Sequence, residues 1–323
     1  MQENRFPTVR LEAFQSFLQQ EGYIMNIAVL LSGGAGRRMG SDIPKQYIRV
    51  SGKMLITYSL ETLLAHPLID AVQIVAGKKW REDILADLRK SRLATEKICG
   101  FSVPGAERQS SIFHALKDIK GSGITSIRSA NNMSIISSAG NKSNTSSKSG
   151  TEGSMDAVYY SDYQHNSVQD VQTMHTVLAH NVISAYNVVQ TAYTILIHDA
   201  VRPNLTKEQI TACFEALKNH DGVMPVLPMK DTVYLSDGGR CVSELLDRKK
   251  IFAGQAPEVF AFDKYYAANL RLLPDGLRRI NGSTEPAVMA GMNIVMIPGD
   301  ENNYKITTKA DLEHFRRQKE QFF

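Results

Sequence analysis

The sequence predicts an α/β fold with a mostly parallel sheet and helices on both of its faces. Short apolar runs alternate along the chain with segments of helical spacing, the pattern of repeated strand–helix units. The first such run, Ile27–Ser32, is apolar throughout, as a strand buried on both faces should be. The composition, 43% hydrophobic and 22% charged over 323 residues, is that of a globular chain able to build a sizeable core.

The elements follow in order. After Ile27–Ser32, the segment Ile56–Leu64 has helical spacing, Ala71–Ala76 reads as a strand and Glu82–Lys90 as a helix. A short strand at Phe101–Val103 precedes a helix over Gln109–Ile119. Tyr193–His198 is the next strand, then helix Lys207–Leu217 and strands Gly222–Leu227 and Asn293–Ile297. Pro228–Ser243 reads as a strand–turn–strand arm, Asp231–Ser236 and Cys241–Ser243 flanking Asp237-Gly238-Gly239, since Asp-Gly between strand-like runs is a hairpin cue.

Two segments stand apart. Residues 1–24 are a polar, loosely amphipathic lead, read either as an added helix or as lying ahead of a true start at Met25. Residues 121–192 interrupt the alternating pattern. From Gly121 to Ser154 they hold 11 serines in 34 residues, a composition that cannot offset its ordering entropy, so a largely flexible insertion is expected. Val177, Leu178, Val182, Ile183, Tyr186 and Val189 lie near helical spacing and suggest one added helix there. The expected catalytic domain is therefore 25–120 with 193–323, carrying an arm at about 228–250.

Several classes are disfavoured. The net charge of +4 has no dense basic block, so nucleic acid is not an expected partner. No apolar run reaches the roughly 20 residues of a membrane span, and the first residues lack a signal peptide's apolar stretch. Cys99, Cys213 and Cys241 lie far apart without CxxC spacing. A disulfide framework or zinc site is not expected, and a cytoplasmic location is.

In sheets of this kind ligands bind beyond the carboxyl ends of the strands. Directly after the first strand comes Leu31-Ser32-Gly33-Gly34-Ala35-Gly36-Arg37-Arg38-Met39-Gly40, with Pro44-Lys45-Gln46 shortly beyond. Glycines let backbone N–H groups approach an anion closely. Gly33, Gly34 and Gly36 followed by Arg37, Arg38 and Lys45 exceed what a tight turn needs. The Gly-Lys-Ser/Thr closure of a P-loop is missing, and the spacing Gly34-x-Gly36-x-x-x-Gly40 is not a dinucleotide fingerprint. Cations inside such a loop suit chemistry on a triphosphate, where catalysis is largely positioning and charge neutralisation. Arg37 is the better candidate for a solvated charge.

These residues resemble the opening signature of the cytidylyltransferases that make CDP-alditols, the family of 2-C-methyl-D-erythritol 4-phosphate cytidylyltransferase and D-ribitol-5-phosphate cytidylyltransferase. The resemblance continues in order through Gly105-Ala106-Glu107-Arg108-Gln109-Ser110-Ser111, His198-Asp199-Ala200-Val201-Arg202-Pro203, Lys230-Asp231-Thr232-Val233, Asp247-Arg248 and Asn303-Tyr304-Lys305-Ile306-Thr307-Thr308. It spans the chain from about 26 to 318, apart from the insertion.

The resemblance implies a Rossmann-like three-layer nucleotidyltransferase that transfers CMP from CTP to an alditol phosphate and releases pyrophosphate. Arg38 and Lys45 would stabilise charge at the α-phosphate, and Arg248 and Lys305 would position the acceptor phosphate, with Arg202 and Thr232 in the same pocket. Leu31, Ser32, Gly33, Gly34, Gly36, Gly105, Arg108 and Ser111 would hold CTP. Asp199, at a strand's carboxyl end, is placed to hold Mg²⁺ or another divalent cation; the plain alternative is a turn or helix-capping Asp. His198 is expected to pack or orient a loop, since an ionised phosphate nucleophile needs no general base. The arm, hardly stable alone, would exchange across a homodimer.

On the acceptor side the pattern departs from both named activities. Ala256-Pro257-Glu258 stands where the methylerythritol enzymes usually have Thr-Pro-Gln and the ribitol enzymes Ala-Pro-Gln. Asn281-Gly282-Ser283-Thr284-Glu285-Pro286-Ala287 replaces the acidic signatures usual at that point. The methylerythritol acceptor, which belongs to isoprenoid precursor synthesis, is the expectation on grounds of that pathway's prevalence. The alternatives are ribitol 5-phosphate, another nucleotide or sugar phosphate on the same fold, and a nucleotide-binding protein without turnover.

Overall fold

A computed structural model of the chain describes residues 24–34, 43–121 and 193–320. All belong to one of two compact units, the one formed by Ile24–Ile127 and Ala192–Phe323. The lead at 1–23 and the segment 122–192 lie outside the described residues, and with them the expected added helices and insertion.

The unit is built on an eight-stranded sheet. Its strands are β1 (Met25–Leu31), β4 (Ala71–Val75), β5 (Ile98–Ser102), β6 (Tyr193–Asp199), β7 (Gly222–Pro228), β10 (Phe252–Gly254), β11 (Glu258–Ala261) and β12 (Ile294–Pro298). Two small antiparallel pairs lie outside it, β2 (Arg49–Val50) with β3 (Lys53–Met54), and β8 (Val233–Leu235) with β9 (Glu244–Leu246). The path runs β10-β7-β11-β6-β1-β4-β5, and β12 pairs with β7. β1 is parallel to β4 and β6, β4 to β5, and β7 to β12, whereas β11 runs antiparallel to β6 and β7.

Alternation along the central strands sends side chains to both faces, and each face is covered. On one, Ala28, Leu30, Val72, Ile74 and Leu196 pack with Ile56, Leu60 and Leu63 of α1 (Leu55–Ala65), Ile84 and Leu88 of α2 (Lys78–Lys90) and Ile210 of α4 (Lys207–Leu217). On the other, Ile27, Val29, Ile195, Ile197 and Phe260 pack with Ile112, Leu116 and Ile119 of α3 (Arg108–Gly121) and Tyr265 of α5 (Phe262–Leu270). This is a three-layer α/β architecture. A third cluster, Val50, Leu55, Ile306, Leu312 and Phe315, seats the last helix, α7 (Lys309–Glu320), over the β2–β3 turn; α6 (Glu285–Met289) precedes β12.

Local chemistry sets the boundaries that matter for the site. Thr206 caps α4 by accepting from Gln209 N at 3.2 Å, which starts the helix at Lys207 as the sequence predicts. Thr308 accepts from Asp311 N at 3.2 Å while the Asp311 carboxylate accepts from Thr308 N at 2.7 Å, a reciprocal cap at the start of α7. The two threonines after Lys305 therefore begin a helix and fix the segment that carries the lysine.

Several element bounds shift, the helix expected from Glu82 beginning at Lys78 among them, and three changes matter most. The first is the arm, whose second strand lies at Glu244–Leu246 and not at Cys241–Ser243. Gly238 and Gly239 have φ of +106° and +78°, and Ser236 Oγ donates to Cys241 O, so Ser236–Ser243 closes as a wide loop. Second, β5 begins earlier, at Ile98, and ends before Val103. Third, Asp199 is the last residue of its strand, where the sequence reading placed it one residue beyond.

Candidate active site

Parallel pairing of β6 with β1 aligns Leu31 with Asp199, so the glycine-rich turn and the carboxylate emerge side by side at the same edge of the sheet. The turn is pinned from within. Ser32 Oγ donates to Val75 O at 2.6 Å. Gln46 Nε2 donates to Ser32 O at 2.6 Å and Gly34 O at 2.7 Å, and Tyr47 OH donates to Ser32 O at 2.8 Å. Lys45, Gln46 and Tyr47 form one 3₁₀ turn, and Tyr47 stacks on Trp80 at 4.4 Å. Sequence reasoning had quoted Gln46 without a role and passed over Tyr47. The signal was their adjacency to Lys45 on a single turn.

Asp199 is buried and gathers cations. Arg108 Nη2 lies 3.1 Å from its Oδ1, Lys305 Nζ 2.9 Å from Oδ2, and Arg202 Nε 4.0 Å from Oδ2. Burial alone would raise the pKa of this carboxyl, but Arg108, Lys305 and Arg202 together hold it well below the ordinary value. Arg108 opens α3, so a helix N-terminus with its positive dipole end adjoins the cluster. Backbone bonds lock the parts together: Ala200 N donates to Leu31 O at 3.0 Å, and Ile306 N to Val201 O at 2.9 Å. Lys45 Nζ donates to Ile306 O at 2.7 Å, which sets that ammonium next to the residue following Lys305.

His198 is fully buried and its Nε2 donates to the carbonyl of Arg202 at 3.0 Å, tightening the turn that presents Asp199. Burial pushes its pKa down to about 4, so it is a neutral structural imidazole, in keeping with the sequence reading. Arg202 in turn donates from Nη1 to Asn303 O at 2.6 Å. Ser111 Oγ accepts from Gly105 N at 2.9 Å and donates to Glu107 O at 3.1 Å, which engages both Gly105 and Ser111 in shaping the second loop.

The structure thus assembles Lys45, Arg108, Asp199, Arg202 and Lys305 with Leu31, Ser32, Gly33 and Gly34. It adds one residue the sequence reading treated only as a departure. Glu258, opposite Ile197 in the β11–β6 register, is buried with Oε1 accepting from Thr284 Oγ1 at 2.7 Å and Oε2 3.9 Å from Arg108 Nη2. Arg248 and Thr232 are exposed on the arm, where Arg248 Nη1 donates to Lys230 O at 2.7 Å. Among the described residues no hydrogen bond or ion pair joins either of them to Asp199. Gly36 and Arg38 lie outside the described residues.

Arg108, Arg202 and Lys305 around Asp199, with Lys45 adjoining, leave an excess of positive charge suited to a polyanion, while burial pushes the Glu258 carboxyl beside Arg108 up from the usual range. As a metal seat, Asp199 offers hard oxygens, but among the described residues no group of three or more His, Cys, Asp or Glu could hold an ion unaided. A lone carboxylate suits only an ion that, like Mg²⁺, keeps waters and shares its shell with substrate phosphates, and here both of its oxygens are paired with Arg108 and Lys305.

The comparisons with known proteins identify a nucleotidyltransferase and say of which kind. The sequence model of the IspD family, 2-C-methyl-D-erythritol 4-phosphate cytidylyltransferase, matches residues 26–177 and 164–316. The chain belongs to this family and is a cytidylyltransferase. It is 26% identical over 289 residues to the 2-C-methyl-D-erythritol 4-phosphate cytidylyltransferase of Thermotoga neapolitana, covering 90% of this chain and 94% of that one. The enzyme of the same name from Lachnospira eligens is 25% identical over 293 residues, covering 90% and 96%. Among solved structures, the 4-diphosphocytidyl-2C-methyl-D-erythritol synthase of Anaerococcus prevotii superposes with a TM-score of 0.61 at 18% identity, covering 92% of this chain and 96% of that one. The Francisella tularensis 2-C-methyl-D-erythritol 4-phosphate cytidylyltransferase gives 0.58 at 18% identity, covering 91% and 99%. These two similarities concern the fold. No helix among the described residues is long and apolar enough to cross a membrane.

Proposed function

We propose that the chain transfers CMP from CTP to 2-C-methyl-D-erythritol 4-phosphate in a Mg²⁺-dependent reaction that releases pyrophosphate, a step of isoprenoid precursor synthesis. The observation that carries this reading is the convergence of Arg108, Arg202 and Lys305 on Asp199, beside Lys45 and the glycine-rich turn. The acceptor phosphate is already ionised, so the chain has no proton to remove. Its work is to hold two anions in line and to stabilise the charge that grows on the α-phosphate and the leaving pyrophosphate.

In this reading Gly33, Gly34 and Gly36 bring backbone N–H groups to the triphosphate, and Arg38 and Lys45 stabilise the α-phosphate. Gly105, Arg108 and Ser111 shape the nucleotide's second wall. Asp199 holds the divalent ion, which when bound neutralises phosphate charge. Arg202, Thr232, Arg248 and Lys305 seat the acceptor. The arm, with Tyr234, Leu235, Val242 and Leu245 exposed, pairs with a second copy to form a homodimer.

Ala256-Pro257 favours a second acceptor, ribitol 5-phosphate, for the reason given above. Pyrophosphate release measured with each of the four nucleoside triphosphates against both alditol phosphates tests the proposal. Release with CTP and methylerythritol phosphate alone is the expected outcome. Release with ribitol phosphate alone transfers the assignment to that acceptor, and no release with any pair leaves a nucleotide-binding protein without turnover.

A further inference from the structure

Two buried amide side chains grip the segment that leads from β12 to Lys305. Gln255, on the connection between β10 and β11, donates from Nε2 to Asp300 O at 3.0 Å and accepts at Oε1 from Asp300 N at 3.0 Å. One amide thus pairs with both backbone groups of a single residue. Asn303 donates from Nδ2 to Ala256 O at 2.8 Å. Residue 255 reaches to 300 and residue 303 reaches back to 256, which closes a bracket between the two segments. Their approach is tight: a Cβ at Gly299 would overlap Gln255 Oε1 and stand 3.1 Å from Val226 O.

The bracket carries the acceptor side of the site. Asn303 O accepts from Arg202 Nη1 at 2.6 Å, and Lys305, two residues on, pairs with Asp199 Oδ2 at 2.9 Å. Arg202 Nε stands 4.0 Å from the same oxygen. Beyond Lys305 the segment is fixed separately, Ile306 N donating to Val201 O at 2.9 Å, and Ile306 O is the group that Lys45 Nζ meets. Slack in the bracket therefore falls on Arg202 and Lys305 and spares Lys45. Long cationic side chains have much rotamer freedom to lose, so they orient a phosphate well only from a fixed backbone. Resting on the acceptor role proposed for Arg202 and Lys305, we infer that Gln255 and Asn303 are positioning residues for the acceptor phosphate. They set the height of the segment 299–305, and with it the two cations that meet that phosphate.

Gly299→Ala tests this from outside, because it keeps both amides and both cations and pushes the flexible end of Gln255 off Asp300. Pyrophosphate release with CTP and whichever of the two alditol phosphates the unsubstituted chain turns over gives the acceptor KM. Calorimetry without acceptor gives the Kd of CTP. Gly299→Ala is expected to raise the acceptor KM by about tenfold, the scale of one charge-assisted hydrogen bond losing its geometry, while the Kd of CTP changes by less than about twofold. Asp87→Ala, which lowers stability away from the site, should leave the acceptor KM within about twofold of the parent. Should Gly299→Ala fail to fold by circular dichroism, Gln255→Ala, which removes the same two bonds without added bulk, takes its place with the same expectation. An unchanged acceptor KM, an equal weakening of CTP binding, or as large a rise in acceptor KM in Asp87→Ala overturns the inference. Absence of turnover by the unsubstituted chain with either acceptor would instead remove the acceptor seat itself, and this inference with it.

Discussion

Replacing Gly33 by alanine probes the contact between the glycine-rich turn and the loop Pro104–Gly105. A Cβ at this position would stand 2.5 Å from Pro104 Cβ and 2.8 Å from its Cγ. Carbon atoms rest at about 3.5–4.0 Å, so the loops must part by roughly 1 Å. Pro104 is a rigid ring, and behind it Gly105 already lies so close to α3 that its own Cβ would meet Ser110 C at 2.8 Å and Ser111 N at 2.9 Å. The displacement therefore falls on the glycine-rich turn. Overpacking of this kind costs about 1–3 kcal/mol, and a 1 Å misplacement of positioning groups costs on the order of 10²-fold in rate. Thermal unfolding and pyrophosphate release with CTP measure the two effects. Gly34→Ala is the control for stability, because its Cβ would find nothing within 4 Å and should leave the melting temperature unchanged. A Gly33→Ala protein with the melting temperature and kcat/KM of the parent would refute the reasoning.

Other outcomes follow from the same geometry. Lys45→Ala should lower turnover by about 10²–10³-fold with a smaller effect on CTP binding measured by calorimetry, since the ammonium is assigned to charge that develops late; equal losses in both would remove that role. His198 has a folded pKa of about 4 against an ordinary value of 6.5, so the unfolded chain binds the extra proton first as pH falls. Stability from this residue is complete above about pH 6.5 and declines by about 3 kcal/mol on the way to pH 4. Urea unfolding at several pH values should show that component vanish in His198→Gln, and an unchanged pH dependence would contradict it. Asp87 is buried and accepts from Met54 N at 3.0 Å and Thr57 Oγ1 at 2.5 Å, besides pairing with Arg49. Asp87→Ala should cost about 3 kcal/mol by leaving those donors unmet, read from the urea midpoint; a midpoint within error of the parent would show the donors find other partners.

Much of the fold was legible because its central strands are apolar on both faces. Ile27, Ala28, Val29 and Leu30 are fully buried, and a run of that kind has few other readings. The helix at Lys207–Leu217 was placed to the residue, and in the fold Thr206 caps it. The strand Glu258–Ala261 was not read. It is four residues long, begins at a buried glutamate and follows a proline, so neither alternation nor an apolar run marks it. Helix α7 escaped for the opposite reason: Leu312 and Phe315 are its buried residues, too few to give a periodic stripe. The arm's second strand was misplaced because Asp-Gly suggested a tight turn where two consecutive left-handed glycines open a wide loop.

The site divides along the same line. Residues that carry the family's motifs, Lys45, Arg108, Asp199, Arg202 and Lys305, were named from sequence and stand together in the fold. Their supports were hidden, because a support is defined by what it touches. Gln46 matters through two carbonyls twelve and fourteen residues away, and Asn303 through the carbonyl of Ala256 at 2.8 Å. Glu258 registered only as an unusual letter after Ala-Pro; its neighbour Arg108, 3.9 Å away, comes from a distant helix.

The most direct measurement of the central claim is ³¹P NMR of the chain incubated with CTP, Mg²⁺ and 2-C-methyl-D-erythritol 4-phosphate. The account predicts the paired resonances of a CDP-alditol diester growing in step with free pyrophosphate, and their loss in Asp199→Asn. An unreacted triphosphate with this acceptor and with ribitol 5-phosphate, in a folded protein that binds CTP, would contradict it.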